Sequence, residues 1–376
     1  MRVGCRDLHA LLWVPPGDLF YIMAQARIQS LDQFRGYTVA GMFFVNFAGG
    51  FAAVPAVLKH HNTYCSYADT LMPQFFFAVG FALRLVLLRN IGSMGPRKAY
   101  GRALRRIGVL AVLALVFYNL SFDENRWFGL LRPRWTDWAV ESFWRDSFQT
   151  LLHIAVTSLW VLPVMARPAM PRLVFGIASA LLHVGLSAGF WYALLNEKRV
   201  IDGGPLGFLT WTIPTLAGAF AYELWKNKGP RGSLRPLLQW GAVFMLLGYG
   251  LSCLGAGGHL AAAPFLPPQA TVDMWTMSQR AGSVSYLTFA AGFSLALYAG
   301  FVWLCDIRQM KTKLFAILGA NALAGYLIHS LVEIPFSLAI QKHAPLGIAL
   351  LVTTAFIMVN TCLVWILNRR GWFLRL

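Results

Sequence analysis

Apolar runs long enough to cross a lipid bilayer recur from one end of this 376-residue chain to the other. A helix needs about 20 apolar residues to traverse the hydrocarbon core. A soluble fold cannot use so many helices that are apolar all round. In lipid, every backbone N–H and C=O must find a partner within the chain, and the helix meets that demand most economically. Composition agrees: 57% of residues are hydrophobic and only 12% are charged, with a mean hydropathy of +0.57. Soluble domains carry about twice that charge. The expected fold class is all-α, a polytopic transmembrane helical bundle.

Ten spans are predicted, over 36–57, 70–88, 103–120, 147–166, 172–195, 206–225, 236–256, 281–304, 314–335 and 346–367. Helix breakers separate them, among them Gly229-Pro230 and the run from Pro264 to Pro268. Residues 27–376 read as a single transmembrane domain. Residues 1–26 read as an N-terminal extension whose short apolar run is broken by Pro15-Pro16-Gly17. That run fits neither a span nor a cleavable signal peptide, and Met23 offers an alternative start.

The basic residues give the predicted bundle a direction. With the N-terminus in the cytoplasm, 22 Lys and Arg fall in inside segments and nine in outside loops. This asymmetry predicts both termini on the cytoplasmic side, in a bacterium the inner membrane. The net charge of +17 would suggest nucleic acid in a soluble chain. Here cytoplasmic loops facing anionic head groups account for it, so membrane lipid is the expected partner and nucleic acid is not. The five cysteines are scattered without a CxxC, which suggests neither a disulfide framework nor a metal site. The sequence is compatible with a homo-oligomer.

Arg27 to Gly80 concentrates the groups that carry chemistry. Asn46 sits in the first apolar segment, where a polar residue is costly and usually has a purpose. It suits an oxyanion or carbonyl contact, or equally a helix–helix hydrogen bond. His60 and His61 follow in a polar hinge and are the best general-base candidates, since imidazole titrates near neutrality. Asp69 opens the next segment, where it can cap the helix or orient an imidazole. Asp32 and Arg35 are three apart at the start of the first segment, on one helical face. Arg97, Lys98, Arg102, Arg105 and Arg106 form a basic run that suits a polyphosphate donor or serves as ordinary positive-inside charge. A loop over 121–146 mixes Asp123, Glu124, Trp127, Trp135, Asp137 and Trp138, groups that hold sugars and also populate membrane interfaces. His329 follows a small-residue run, GANALAGYLIHS, that suggests close helix packing.

The opening stretch RIQSLDQFRGYTVAGMFFVNFAGG, with its SLDxxRG motif and Asn, resembles the heparan-α-glucosaminide N-acetyltransferase family. LKHHNTYCSYADTLMPQFFFAVG resembles that family's second signature, with Asp69 and Pro73 keeping its spacing. Weaker echoes follow at DGGPLGFLTWTIPTLAGA, RAGSVSYLTFAAGF and GANALAGYLIHS, in the family's order, so the resemblance covers Arg27 to about Ser330. It implies a membrane enzyme that takes acetyl-CoA from the cytoplasm and acetylates an amino sugar or glycoconjugate on the far side. It implies His60 as the catalytic histidine, Asn46 as the functional amide and Asp69 as the group positioning the imidazole. The interval between His60 and Asp69 departs from the family: it reads HNTYCSYA, is one residue short and lacks the usual Trp and Gly. His61 therefore stays open as the catalytic histidine. So do an O-acyltransferase of cell-surface polysaccharide, a transporter or flippase without catalysis, and the choice between direct transfer and an acetyl-histidine intermediate.

Overall fold

A computed structural model describes residues 28–61, 63–119, 148–198, 200–255, 259–267 and 272–374. The N-terminal extension and the carboxylate- and Trp-bearing loop lie outside these residues. Helices make up the regular structure, and no strand occurs among the described residues. They are α1 (Gln29–Ala48), α2 (Tyr67–Met94), α3 (Pro96–Asn119), α4 (Thr150–Met165) and α5 (Ala169–Leu186). There follow α6 (Tyr192–Lys198), α7 (Phe208–Ser252), α8 (Val284–Phe301), α9 (Lys313–Ala320), α10 (Ala322–Ala339) and α11 (Leu346–Arg369).

Among the described residues, six helical stretches are long and apolar enough to cross a membrane. They are Tyr67–Met94, Ala169–Glu197, Gly204–Gly255, Val284–Ile307, Ala322–Ala339 and Leu346–Arg369. The sequence led to an expectation of ten. The remaining expected spans are helical but differ in kind. α1 carries Asp32 and Arg35 in its first two turns, α3 opens on a basic run, and α4 has only 16 residues. The stretch Gly204–Gly255 holds the two spans expected over 206–225 and 236–256. Gly229 breaks it with a φ of 68°, so α7 consists of two helical limbs. The span expected over 314–335 is likewise divided, at Asn321. The Asn321 amide donates to the Trp372 carbonyl at 2.8 Å and accepts from the Leu374 N–H at 3.0 Å, which ties the break to the C-terminal residues.

The first helix is shifted from its expected position. It starts seven residues before 36 and stops at Ala48, because Gly49-Gly50 and Pro55 end it before 57. Its first turn has no local side-chain cap. Asp306 supplies one from a distance, accepting from the Ser30 N–H at 3.0 Å and the Ser30 hydroxyl at 2.7 Å. A carboxylate at that place satisfies orphan donors and complements the helix dipole. Gln33 adds three bonds with Thr312, so the start of α1 is held against the connection from α8 to α9.

Polar groups turn inward and apolar ones outward over much of the bundle. Arg84 and Arg172 are buried, and both reach Glu223. Leu181, Leu246, Leu338 and Leu351 are exposed. An apolar exterior of this extent marks a lipid or protein contact rather than water.

Helices cross closely where glycine removes the side chain. A methyl group on Gly80 of α2 would lie 1.8 Å from the Thr215 carbonyl oxygen of α7, and one on Gly218 of α7 would lie 1.9 Å from that of Phe77. The contact is reciprocal backbone against backbone, so neither partner can yield by a rotamer change. Gly218→Ala is expected to lower stability by about 1–3 kcal/mol or more, as overpacking does. Thermal unfolding in detergent checks this against Gly108→Ala, whose added methyl meets nothing within 4 Å. Equal midpoints for the two variants would sink the packing argument.

Candidate functional site

The site begins with the start of α2. Ser66 and Asp69 form a capping box: the Ser66 hydroxyl accepts from the Asp69 N–H, while Asp69 Oδ2 accepts from the Ser66 N–H at 2.9 Å and from its hydroxyl at 2.8 Å. Such a box satisfies helix-end donors reciprocally. One turn later, Pro73 has no N–H to give to the Asp69 carbonyl. Tyr286 of α8 fills the vacancy, its hydroxyl donating to that carbonyl at 2.6 Å. Asp69 is thereby fixed through both backbone and side chain and is fully buried. Its remaining oxygen, Oδ1, accepts from His60 Nδ1 at 3.0 Å.

His60 sits in the hinge between α1 and α2, and 43% of its side-chain surface stays accessible. Its Nε2 lies 3.2 Å from Asn46 Oδ1. Asn46 Nδ2 lies 3.3 Å from His329 Nε2 on α10, and His329 Nδ1 is hydrogen-bonded to the Tyr326 carbonyl. A carbonyl can only accept, so this chain of bonds has a fixed sense. His329 donates from Nδ1 and accepts at Nε2 from the Asn46 amide, and the Asn46 carbonyl then accepts from His60 Nε2–H. His60 Nδ1 meets the Asp69 carboxylate, so both ring nitrogens face acceptors, an arrangement that favours the protonated ring. Electrostatics points the same way. Burial lowers the pKa of His60, but the hydrogen bond and charge of Asp69, with the charge of Asp202, outweigh it and hold the pKa above its ordinary 6.5.

Asp202 and Gln279 complete the arrangement, and neither was singled out from the sequence. Gln279 Oε1 lies 3.2 Å from His60 Nδ1, and its amide donates to Asp202 Oδ1 at 2.9 Å. Burial pushes the Asp202 carboxyl up from 3.8 to about 6, against the opposing pull of Gln279 and His60. The one sequence signal for Asp202 is its place before Gly203-Gly204 in DGGPLGF.

His61 stands apart from this network. Its ring stacks on Tyr64 at 4.4 Å between centroids, and its Nε2 is 2.8 Å from the Ala56 carbonyl. Its backbone N–H points at the Asp69 carboxylate, 3.4 Å from each oxygen. Cys65 is buried, and burial raises its thiol well above the usual value, which suits packing rather than nucleophilic attack.

The basic residues gather at the other end of α1. Arg35 and Asn46 are eleven residues apart, about 16 Å along a helix. A cavity of about 450 Å³ is lined at one end by Asp32, Arg35, Arg89, Arg102 and Arg106, and elsewhere by Phe75, Thr150 and Tyr326. Arg35, Arg102 and Arg106 lie near enough for their charges to act on one another. On α3 the wall consists of Ala99, Arg102, Ala103, Arg106, Ile107 and Leu110, one helical face. Arg97, Lys98 and Arg105 lie on the same helix but not on that wall. Arg106, from the same basic run, joins it, and so does Arg89, which was not among the residues expected there. Tyr326 belongs to both regions, lining the cavity with its residue and holding His329 with its carbonyl.

The raised carboxyl of Asp202 has a consequence for stability. Between about 3.8 and 6 the folded chain holds a proton that the unfolded chain has released. Linkage then makes the contribution of Asp202 fall as pH rises through that window. Asp202→Asn removes the titration, so its stability relative to wild type is expected to improve between pH 4 and 7 by on the order of 2 kcal/mol. Melting midpoints against pH check this, and parallel curves for the two proteins would contradict it. No protein-family model matches the chain, and no curated protein is significantly similar to it.

Proposed function

We propose that the chain is an integral-membrane acyltransferase that moves an acetyl group from cytoplasmic acetyl-CoA to an amino sugar or glycoconjugate on the extracytoplasmic side. The observation that carries this reading is His60, oriented at Nδ1 by a buried carboxylate and aimed at Nε2 toward Asn46. The resemblance of Arg27–Gly80 to the heparan-α-glucosaminide N-acetyltransferases supports the same chemistry. In this reading the chain crosses a bacterial inner membrane about ten times, α7 contributes two crossings, and both termini are cytoplasmic.

The mechanism follows from the groups present. The arginine-lined end of the cavity holds the phosphates of the donor, where guanidinium groups give charge-assisted bonds. The thioester extends toward Tyr326 and Asn46. His60 must first release its Nε2 proton, after which it can take one from the acceptor amine. The amine nitrogen then bonds to the acetyl carbon, the C–S bond breaks, and the thiolate leaves to be protonated as coenzyme A. The second N–H of the Asn46 amide, which His329 does not use, donates to the developing oxyanion. Asp69 stabilises the imidazolium formed on His60, as an orienting carboxylate does in a triad. The same residues serve direct transfer and transfer through an acetyl-histidine.

Turnover of radiolabelled acetyl-CoA with glucosamine-type acceptors tests the assignment. His60→Ala and Asn46→Ala are each expected to lower kcat by at least about 100-fold, and His61→Ala by no more than about threefold. Activity lost only in His61→Ala would move the catalytic role to that residue, and unchanged turnover in all three variants would refute the site. Arg102→Ala is expected to raise the KM for acetyl-CoA by about tenfold, as loss of a charge-assisted contact does, whereas Arg97→Ala is expected to leave it near the wild-type value. A base must be neutral, so kcat/KM is expected to rise with pH through a midpoint above 6.5. Asp69→Asn removes the charge that holds the proton on His60, so the midpoint is expected to move to lower pH while the maximal rate falls. A midpoint unmoved by Asp69→Asn would rule out His60 as the titrating group.

A further inference from the structure

Asp202 is held in place by more structure than a surface turn requires. Its own φ is 57°, and Gly203 and Gly204 follow at 81° and 57°. Three successive left-handed residues are an unfavourable arrangement for any L residue among them, and Asp tolerates that region better than most. The turn is fixed from three sides. The Trp211 indole donates to the Asp202 carbonyl at 2.8 Å, the Gly203 N–H donates to the Arg280 carbonyl at 2.9 Å, and Gly203 abuts Gly282 so closely that neither has room for a side chain. The result is a carboxylate that is 4% exposed and two hydrogen bonds from His60.

The hydrogen bonding of this carboxylate is incomplete. Oδ1 accepts from Gln279, while no donor among the described residues reaches Oδ2. A buried carboxylate ordinarily finds a cationic partner or several donors. The nearby cations are committed elsewhere: Arg280 donates to the Leu195 and Asn196 carbonyls, and Lys59 donates to the Ala52 carbonyl. Tyr118, Tyr286 and Tyr326 lie close enough to feel the charge of Asp202. The hydrogen-bond network around His60 thus holds two carboxylates, Asp69 and Asp202, against one imidazole. Once His60 is neutral, as a base must be, both carboxylates lack a counter-charge.

We propose that Asp202 binds the primary ammonium of the acceptor, and so selects an amino sugar over a sugar bearing only hydroxyl groups. The proposal rests on the acyl-transfer reading for the identity of the acceptor, while the charge argument stands on the geometry of Asp202, Gln279 and His60. The ammonium supplies the missing counter-charge and the donor for Oδ2. It binds on the Nδ1 side of His60, where Gln279 links the ring to Asp202, and the amine passes to the Asn46 side before Nε2 takes its proton. A hydroxyl acceptor supplies no charge and gains nothing from a second carboxylate.

Binding of two probes to the full-length protein in detergent tests the proposal: glucosamine, which carries the ammonium, and N-acetylglucosamine, which does not. Wild type is expected to bind glucosamine at least about tenfold more tightly, the scale of one charge-assisted hydrogen bond. Asp202→Asn is expected to bring the two affinities within about twofold, and Asp202→Glu to keep the preference. An Asp202→Asn protein that retains the tenfold preference overturns the assignment. Should that variant not fold, wild type decides: equal affinities overturn the proposal, and a tenfold preference supports it. Acetyl transfer measured in parallel separates this idea from the enzyme reading. A wild type that prefers glucosamine yet transfers nothing keeps Asp202 as an ammonium site and overturns acyl transfer. A wild type that transfers acetyl groups, with the preference intact in Asp202→Asn, does the reverse.

Discussion

One carboxylate holds the two halves of the site together. Asp69 closes the capping box that starts α2 and, with its other oxygen, fixes His60. The two roles require each other. Oδ2 is occupied by Ser66, so only Oδ1 is free for the imidazole, and the ring has a single orientation in which both its nitrogens are used. Tyr286 braces the same residue from α8 through the carbonyl that Pro73 leaves without a helix donor. A helix terminus, a proline irregularity and a tyrosine from a distant helix therefore converge on one side chain. The precision expected of a base–orienter pair rests on that convergence.

From Asp69 the polar network runs in two directions through the bundle. One branch passes from His60 through Asn46 and His329 to the Tyr326 carbonyl, and Tyr326 lines the cavity that opens among arginines at the far end of α1. The other passes through Gln279 to Asp202. The first branch joins a histidine to a cationic cavity, the second to a carboxylate. The imidazole of His60 is the point where the two branches meet.

The chain's pattern made much of this legible, and particular residues show where legibility stopped. Asp69 could be read as a helix-capping group from its place at the start of a span, although the N-cap itself is Ser66 and Asp69 closes the box from the third position. Asn46 could be singled out because an amide in an apolar run is costly. Asp32, Arg35 and Arg102 could be singled out as a charged group, and the structure brings them to one cavity. His60 and His61 could not be told apart, since neighbouring residues in a hinge carry no periodicity to say which ring turns inward. The structure sends the His61 ring to Tyr64 and the Ala56 carbonyl. Asp202 and Gln279 escaped notice because each is an ordinary loop residue until the loops meet. Among the arginines of α2 and α3, the cavity wall takes Arg89, Arg102 and Arg106 and leaves Arg97 and Arg105 aside, a choice set by helix rotation.

By itself the sequence determined that the chain is helical and built for an apolar environment. Hydrophobic length and low charge act locally and need no knowledge of neighbours. It also marked the break at Gly229-Pro230, whereas the stop at Gly49-Gly50 and the division at Asn321 fall inside spans that read as continuous. Only the tertiary structure decided which histidine meets Asp69, that Asp202 stands behind it, and which helices approach at bare backbone through Gly80 and Gly218. The physical reason is range. Burial and capping are fixed within a turn or two of helix, whereas hydrogen bonds between residues more than 200 positions apart depend on how every intervening helix packs.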